Sequence, residues 1–448
     1  MHAVKNLLIL GAGRSSSTLI KEALVRAEAM GWQVLVGDVN GDLAQAKIEG
    51  HPRGKAFALD PHDTEERDRR IRESDLVISM VPAFLHAPIA EVAIRAGKPC
   101  ITPSYIAPEM AALDGLAREH GVLVLNEVGL DPGIDHLSAM KVLDEIRAQG
   151  GEITSFESFC GGLIAPESDT NPWHYKFSWN PRNVVIAGQA GAATFLDGGR
   201  VRMVPPHRLF QQARSVEVGG MAFEGYPNRD SLAYRERYGL TNAQTLVRGT
   251  LRGAGFCEAW QAFVTLGCVS DDARLTWQQG VSWPVWLRTF LPAEYAGVGI
   301  REAVAACTGA SESALDKWAW LGLFDDAQGP KTTEGTPADV LQELLESAWV
   351  LEPEDRDMIV MWHRFGYTLR GENRERISAL RLDGRDSTFT AMSDTVGMPM
   401  LLAAEVLLEE GGFGRTGVEA PMDPAYYDVL LPRLEAWGVR FEETDRAV

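Results

Sequence analysis

The chain is poor in cysteine, with five in 448 residues, and those five (Cys100, Cys160, Cys257, Cys268 and Cys307) are scattered and form no CxxC pair. This spacing excludes a disulfide framework and a zinc-type ligand set, and it suits a reducing compartment. Basic residues are also in deficit: 43 Lys and Arg against 62 Asp and Glu give a formal charge of -19. A broad nucleic-acid surface or a face for anionic membranes needs the opposite sign, whereas a few local arginines suffice for a small anionic substrate. No run reaches the roughly 18 uninterrupted apolar residues of a membrane span. The opening stretch, MHAVKNLLILGAG, has no secretory h-region with a cleavage site. There is no internal repeat and no low-complexity segment. The expectation is a cytoplasmic protein that carries no metal and binds neither nucleic acid nor membrane.

What is present is a globular composition, 45% hydrophobic and 23% charged, on a chain longer than one core usually supports. Two or three domains are expected. The first third alternates apolar runs (6–10, 33–37, 55–59, 76–80, 99–102, 122–126) with amphipathic stretches. One of these places Leu19, Ile20, Ala23, Leu24, Ala27 and Met30 on one helical face, and others lie near 86–96 and 108–120. Strands alternating with helices predict βαβ units and a parallel sheet, an α/β class. From about residue 151 shorter runs, glycine pairs and aromatics suggest an α+β domain, and 271–351 reads as mostly helical, a candidate helical subdomain. Strand signals return at 357–362 and 377–382, then helices at 399–410 and 426–437 and a short run at 439–442. The tail is expected to pack back on the first domain.

The segment Gly11-Ala12-Gly13-Arg14-Ser15-Ser16 lies between a strand and a helix, the place where a Rossmann domain holds the pyrophosphate of a dinucleotide. Gly11 permits the turn, Gly13 lets a pyrophosphate approach the backbone, and Ser16 stands where Gly or Ala is usual. Ser15 and Ser16 offer hydroxyls to phosphate. A bare GxG is weak, but the second strand, WQVLVGD, ends in Asp38, an acid placed for ribose hydroxyls that repels a 2′-phosphate. That pattern points to NAD rather than NADP. Asp60, after the third strand, lies near the adenine or else caps the next helix. Ser79-Met80-Val81-Pro82 ends the fourth strand at the edge that dinucleotides cross, which makes backbone contacts at Val81 plausible.

Six stretches then read together: SDLVISMVPAFLH (74–86), ITPSYIAPEM (101–110), NEVGLDPGIDHL (126–137), FCGGLIAPESDTNPWHYKFSW (159–179), GYPNRDS (225–231) and VRGTLR (247–252). In this order and spacing the chain resembles saccharopine dehydrogenase of the L-glutamate-forming type (saccharopine reductase), over essentially its whole length. The resemblance implies an NAD(P)-dependent oxidoreductase of lysine metabolism. Saccharopine would lose hydride to give an imine, which water splits to L-glutamate and 2-aminoadipate 6-semialdehyde. It also implies a homodimer with a Rossmann domain over 1–130 completed by about 390–448. A catalytic and dimerisation α+β domain would span 131–270 and 352–389, with the helical subdomain over 271–351. Residues matching the family's substrate contacts are Ser104, Tyr105, Asp131, Arg229, Thr250, Leu251 and Arg252. Leu130, Asp131, Pro132 and Trp179 match residues beside the cofactor. Members of that family favour NADP, so Asp38 departs from their pattern.

The residues themselves suit this chemistry. A substrate with three carboxylates needs fixed donors, and arginine meets a carboxylate with two parallel bonds. Arg229 and Arg252 are the candidate clamps, with Thr250 and Ser104 adding hydroxyls. Imine formation and hydrolysis need a proton moved and a water activated, for which Asp131, Cys160 and Tyr105 are the candidates. Each has a plainer alternative: Asp131 as a helix cap, Cys160 as a small buried hydrophobe, Tyr105 as a packing aromatic. His136 reads as structural, Lys176 as exposed, the tryptophans between 277 and 320 as packing, and His363 as a strand residue without metal partners. Two other functions fit parts of the pattern, a carboxynorspermidine-type imine reductase and a non-catalytic dinucleotide-binding regulatory protein.

Overall fold

The computed structural model of the chain describes residues 4–189 and 191–448. It divides into two compact units, the first running to Gln149 and resuming over Gly384–Arg440, the second comprising Gly150–Asp383 and Phe441–Val448.

The first unit is built on a seven-stranded parallel sheet. Its strands are β1 (Asn6–Leu10), β2 (Gln33–Asp38), β3 (Gly54–Ala58), β4 (Leu76–Ser79), β5 (Cys100–Ile101) and β6 (Leu123–Leu125). Strand Gly417–Glu419, from the end of the chain, pairs with β6, and the order along the sheet is Gly417–Glu419, β6, β5, β4, β1, β2, β3. The order reverses between β1 and β4, the switch point where open α/β sheets bind ligands. Leu7, Leu8, Ile9 and Leu10 are all buried, as expected for a strand covered on both faces. Helix α1 (Ser17–Met30) buries the apolar face that its sequence predicts and stops where Gly31 turns left-handed, its N–H donating to Ala27 O.

The carboxy-terminal helix differs from its sequence reading. It spans Ala391–Glu409, eight residues earlier than Pro399, and carries that proline inside. Thr390 starts it by accepting from the Ser393 N–H (2.9 Å). Proline removes one ladder bond, but the burial of Met398, Met400, Leu401 and Ala403–Ala404 outweighs the loss. Gly397 lets α1 approach, because a Cβ there would stand 2.9 Å from Leu19 N. By length and composition this helix could cross a membrane, yet 78% of the window is buried, so its apolar surface is used within the fold. Helix Ile134–Ala148 also lies in the first unit, beyond the expected boundary at 130.

The second unit carries a nine-stranded sheet. Its first six strands are β7 (Glu152–Ile164), β8 (Ala193–Asp197), β9 (Arg200–Val204), β10 (Arg214–Val218), β11 (Met221–Pro227) and β12 (Thr245–Arg252). β7 pairs parallel to β12 and antiparallel to Asp357–Leu369. That strand and Glu372–Asp383 form one long hairpin in place of two short strands. Its turn residues Arg370 and Gly371 both have positive φ (53° and 84°), the requirement of a two-residue type I′ connection.

The run expected at 439–442 is strand Phe441–Ala447, which pairs with Glu372–Asp383 in the second unit rather than completing the first. Cross-strand charge explains the choice: Asp445 takes bonds from Arg374 Nη2 (2.8 Å), Arg376 Nε (3.0 Å) and the Tyr367 hydroxyl (2.5 Å). The helices of 271–351 do not form a separately cored subdomain. Trp318 stacks on Phe263 with centroids 4.0 Å apart, and Trp349 packs on Trp173, Tyr175 and Trp260, so both regions share one aromatic core.

Candidate active site

In the first unit the glycine loop has the form its sequence requires. Gly11 sits at φ +106°, where a Cβ would lie 2.8 Å from Met80 O, and its N–H donates to Gly37 O (2.7 Å). Only glycine fits. Gly13 is different: its φ is -65° and a Cβ would meet no atom within 4 Å. The chain's own packing does not call for glycine there, whereas the close approach of a dinucleotide pyrophosphate does.

Arg14–Ser16 form a 3₁₀ turn, with Arg14 exposed and Ser15 half-buried. The Ser16 hydroxyl donates to Gly13 O (2.8 Å) and is buried, so it closes the loop. The first turn of α1 is tied to the carboxy-terminal helix, a support that sequence reasoning missed. Ser393 Oγ accepts from the Thr18 N–H (2.9 Å), and Asp394 Oδ1 accepts from the Thr18 hydroxyl (2.5 Å).

Asp38 closes β2 with both oxygens engaged: Oδ2 accepts from Ala12 N (2.7 Å) and Oδ1 from Asn40 N (2.8 Å). The acid therefore fastens the glycine loop to the end of β2. Lys47 donates to the Ser17 hydroxyl, and burial lowers its pKa to about 8 against the attraction of Asp38. Asp60 is exposed and accepts from the His62 N–H (2.9 Å). The cap of the next helix is Asp63, which accepts from Glu66 N. Val81 is half-buried just past β4.

Three candidates meet on one side of this unit. Ser104 and Tyr105 follow β5, and the Tyr105 hydroxyl donates to Asp131 Oδ1 (3.1 Å). Asp131 lies in a tight turn with Leu130 and Pro132 buried around it; the Asp131–Pro132 peptide is cis. Gly133 makes the turn possible, with φ +148° and room for no Cβ, which would stand 2.0 Å from Gly129 O. The helix beyond takes Gly133 as its N-cap, and the Gly133 N–H donates to Asp135 Oδ1 (2.6 Å). His136 is structural in position, fully buried against Glu127 at 2.8 Å. Sequence reasoning missed His86, which bridges Ser79 and Ser104. Its only signal was its place inside SDLVISMVPAFLH.

In the second unit Cys160 on β7 stands opposite Thr250 on β12, and Thr250 stands opposite Tyr226 on β11. Side chains alternate along a strand, so Thr250 and Arg252 share a face while Leu251 points into the opposite core, fully buried. Arg252 is 4% exposed and packs over the rings of Tyr175 (5.3 Å) and Phe256 (5.4 Å). Its Nη1 donates to Leu251 O (3.1 Å), but its buried Nε has no partner, and no carboxylate among the described residues pairs with it.

Trp179 is half-buried and donates to the Tyr175 hydroxyl (3.0 Å), linking it to the Arg252 cluster. Burial pushes the Tyr175 and Tyr226 phenols up, opposed by Arg252. Arg229 is exposed and has a positive φ of 54°, a conformation that costs energy for a residue with a Cβ. Lys176 is not exposed: it is buried and paired with Asp355 at 2.6 Å.

The profile described as "Saccharopine dehydrogenase NADP binding domain" matches residues 7–125, and "Saccharopine dehydrogenase C-terminal domain" matches 129–439. Saccharopine dehydrogenase [NADP(+), L-glutamate-forming] of Saccharomyces cerevisiae is 34% identical over 451 residues, covering 98% of this chain and 99% of the relative. The mitochondrial alpha-aminoadipic semialdehyde synthase of Bos taurus is 33% identical over 98% of this chain, which spans 48% of that longer relative. A solved apo saccharopine dehydrogenase (L-Glu forming) from S. cerevisiae superposes with a TM-score of 0.86 at 33% identity, over 99% of this chain and 100% of the other. With both of its units matched and a near-complete superposition, the chain belongs to the saccharopine dehydrogenase family.

Proposed function

We propose that the protein is an L-glutamate-forming saccharopine dehydrogenase, interconverting saccharopine and water with L-glutamate and 2-aminoadipate 6-semialdehyde. The observation that carries this reading is Arg252, a buried guanidinium whose Nε lacks a partner. Burying a cation unpaired is costly, and the cost is recovered when an anionic ligand supplies the missing carboxylate. A substrate with three carboxylates is such a ligand, and the S. cerevisiae relative and solved structure carry that activity in their names.

The residue roles belong to the same proposal. Arg252 and Thr250 hold one carboxylate, and exposed Arg229 takes another. Tyr105 and Asp131 share a hydrogen bond through which a proton can be held for the amine and for the attacking water. Cys160, beside Thr250, is a second candidate for that task. A nicotinamide dinucleotide fits the open face of Gly13 and the helix that follows; when bound, it supplies the hydride acceptor. Residues of the first unit proposed to hold it are Gly11, Gly13, Arg14, Ser15, Asp38, Val81, Leu130 and Pro132.

Cofactor choice belongs to the same proposal. The S. cerevisiae relative has NADP(+) in its name, but a carboxylate at the end of the second strand, here Asp38, is the group that repels a 2′-phosphate, and this supports NAD in this chain. A homodimeric, cytoplasmic enzyme is the proposed setting, and five free thiols suit a reducing compartment.

Purified protein incubated with saccharopine and either NAD or NADP, followed by absorbance of the reduced nicotinamide and by glutamate release, tests the activity. Absence of both products with both cofactors would overturn it. An Asp38→Asn variant tests the cofactor argument: the ratio of kcat/KM for NAD over NADP should fall about tenfold, the effect of removing one charge–charge repulsion near a phosphate. An unchanged ratio would leave Asp38 only the work of fastening the loop.

A further inference from the structure

Three residues at the carboxyl edge of the first unit's sheet form a continuous chain of hydrogen bonds. Ser79 is the last residue of β4, His86 the first residue of helix His86–Arg95, and Ser104 lies just past β5, the strand beside β4. Ser79 Oγ lies 2.8 Å from His86 Nδ1, and His86 Nε2 lies 2.9 Å from Ser104 Oγ. Ser79 is 0% exposed and His86 4%, while Ser104 is half-buried, so the chain runs from the interior to one accessible end.

We propose that His86 is a positioning residue that makes Ser104 a hydrogen-bond donor toward a substrate carboxylate. This rests on the saccharopine reading, which assigns Ser104 to the substrate.

A neutral imidazole has one donor and one acceptor nitrogen, so the chain has two polarities. In the first, Ser79 donates to Nδ1, Nε2–H donates to Ser104 Oγ, and the Ser104 O–H is left to donate outward. In the second, Ser104 donates to Nε2 and presents only lone pairs. A carboxylate accepts and cannot donate, so it selects the first. The main chain of Ser104 is held separately: its N–H donates to Thr102 Oγ1 (3.2 Å) and its carbonyl accepts from Glu127 N (3.1 Å). Neither bond orients the hydroxyl. Burial, the sole cause of its lowered pKa of about 4, keeps the ring neutral near pH 7, so orientation is what it contributes.

Two variants and one spectrum test this. His86→Asn places an amide near Nδ1 and abandons Ser104, whereas His86→Gln reaches the Nε2 position and keeps a donor to it. In His86→Asn the KM for saccharopine should rise about tenfold, the loss of one hydrogen bond to a charged group. Its kcat and its dinucleotide Kd, read by fluorescence of the reduced cofactor, should stay within about twofold. His86→Gln should recover most of the KM.

The spectrum needs no variant to fold and no turnover. In ¹⁵N-histidine-labelled protein, saturating glutamate, used as a carboxylate probe, should drive His86 to the Nε2–H tautomer. An Nδ1–H ring under those conditions, or an unchanged KM in folded His86→Asn, would overturn the role of His86. Failure of the unaltered protein to oxidise saccharopine would instead overturn the substrate reading.

Discussion

The hydroxyl of Tyr105 donates to Asp131 Oδ1 across 3.1 Å, joining two residues 26 positions apart. Tyr105 is delivered by the loop after β5, which Glu127 pins by donating its N–H to Ser104 O (3.1 Å) and accepting from Ile106 N (3.2 Å). Asp131 is delivered by the turn that Gly133 permits.

If this pair handles the proton, its members act as one unit. Asp131→Asn should lower kcat by about 10²-fold, within the range for a lost acid–base group, and Tyr105→Phe by about tenfold. The double variant should cost little more than Asp131→Asn alone, as non-additive partners do. Steady-state kinetics of the full cycle decides it; a product of the two single effects would show that the residues act independently.

Arg252 should separate stability from activity. Arg252→Met removes a buried cation with an unpartnered Nε and keeps an apolar side chain against Tyr175 and Phe256. Exchanging a buried charge for a hydrophobe of similar volume is often neutral or stabilising. The variant should keep or raise Tm while kcat/KM for saccharopine falls by about 10²-fold or more. Arg252→Lys should not rescue it, because an ammonium lacks the forked donor geometry. A Tm lower by more than about 5 °C would assign Arg252 a structural role instead.

The two glycines of the loop should respond in opposite ways. Gly11→Ala forces a Cβ to within 2.8 Å of Met80 O at a φ of +106° and should destabilise the first unit by about 2–3 kcal/mol. Gly13→Ala meets nothing within 4 Å, so its Tm should be unchanged, yet dinucleotide affinity should fall by about tenfold or more. Thermal melts beside a fluorescence titration of the reduced cofactor read both. Equal affinity in Gly13→Ala would remove the pyrophosphate from that face.

His86 should leave a mark on acid stability. Burial lowers its folded pKa from 6.5 to about 4. Between those values the unfolded chain binds a proton that the folded chain does not, so stability is complete above pH 6.5 and is lost as pH falls through about 4. The whole window is worth up to about 3 kcal/mol. Denaturant midpoints of the unaltered protein should fall over that range, and His86→Gln should flatten the fall. An identical slope in both would assign the acid sensitivity to other groups.

The first unit was legible in the sequence because its signals are local. Five buried strands and the more exposed β3, the tight turn at Gly11 and the acid at the end of β2 each occupy a few consecutive residues, and periodicity alone orders them into βαβ units. The motifs around Asp131 and Arg252 were legible only as segments that resemble a known family. Elsewhere the local signal misled. Pro399 read as a helix start, but packing against α1 carries the helix through it. The final run read as part of the first unit, but Asp445 found its arginines on Glu372–Asp383.

The amino-acid pattern by itself determined the Rossmann architecture, because hydrophobic period and turn stereochemistry act between near neighbours, while the family and its candidate groups came from the likeness of six segments to a known family. Only the tertiary structure decided that Lys176 is neutralised by Asp355, that Arg252 is buried with its Nε unpartnered, and that His86 spans two serines. Those states depend on desolvation and on partners from different elements, and neither quantity exists until the chain has packed.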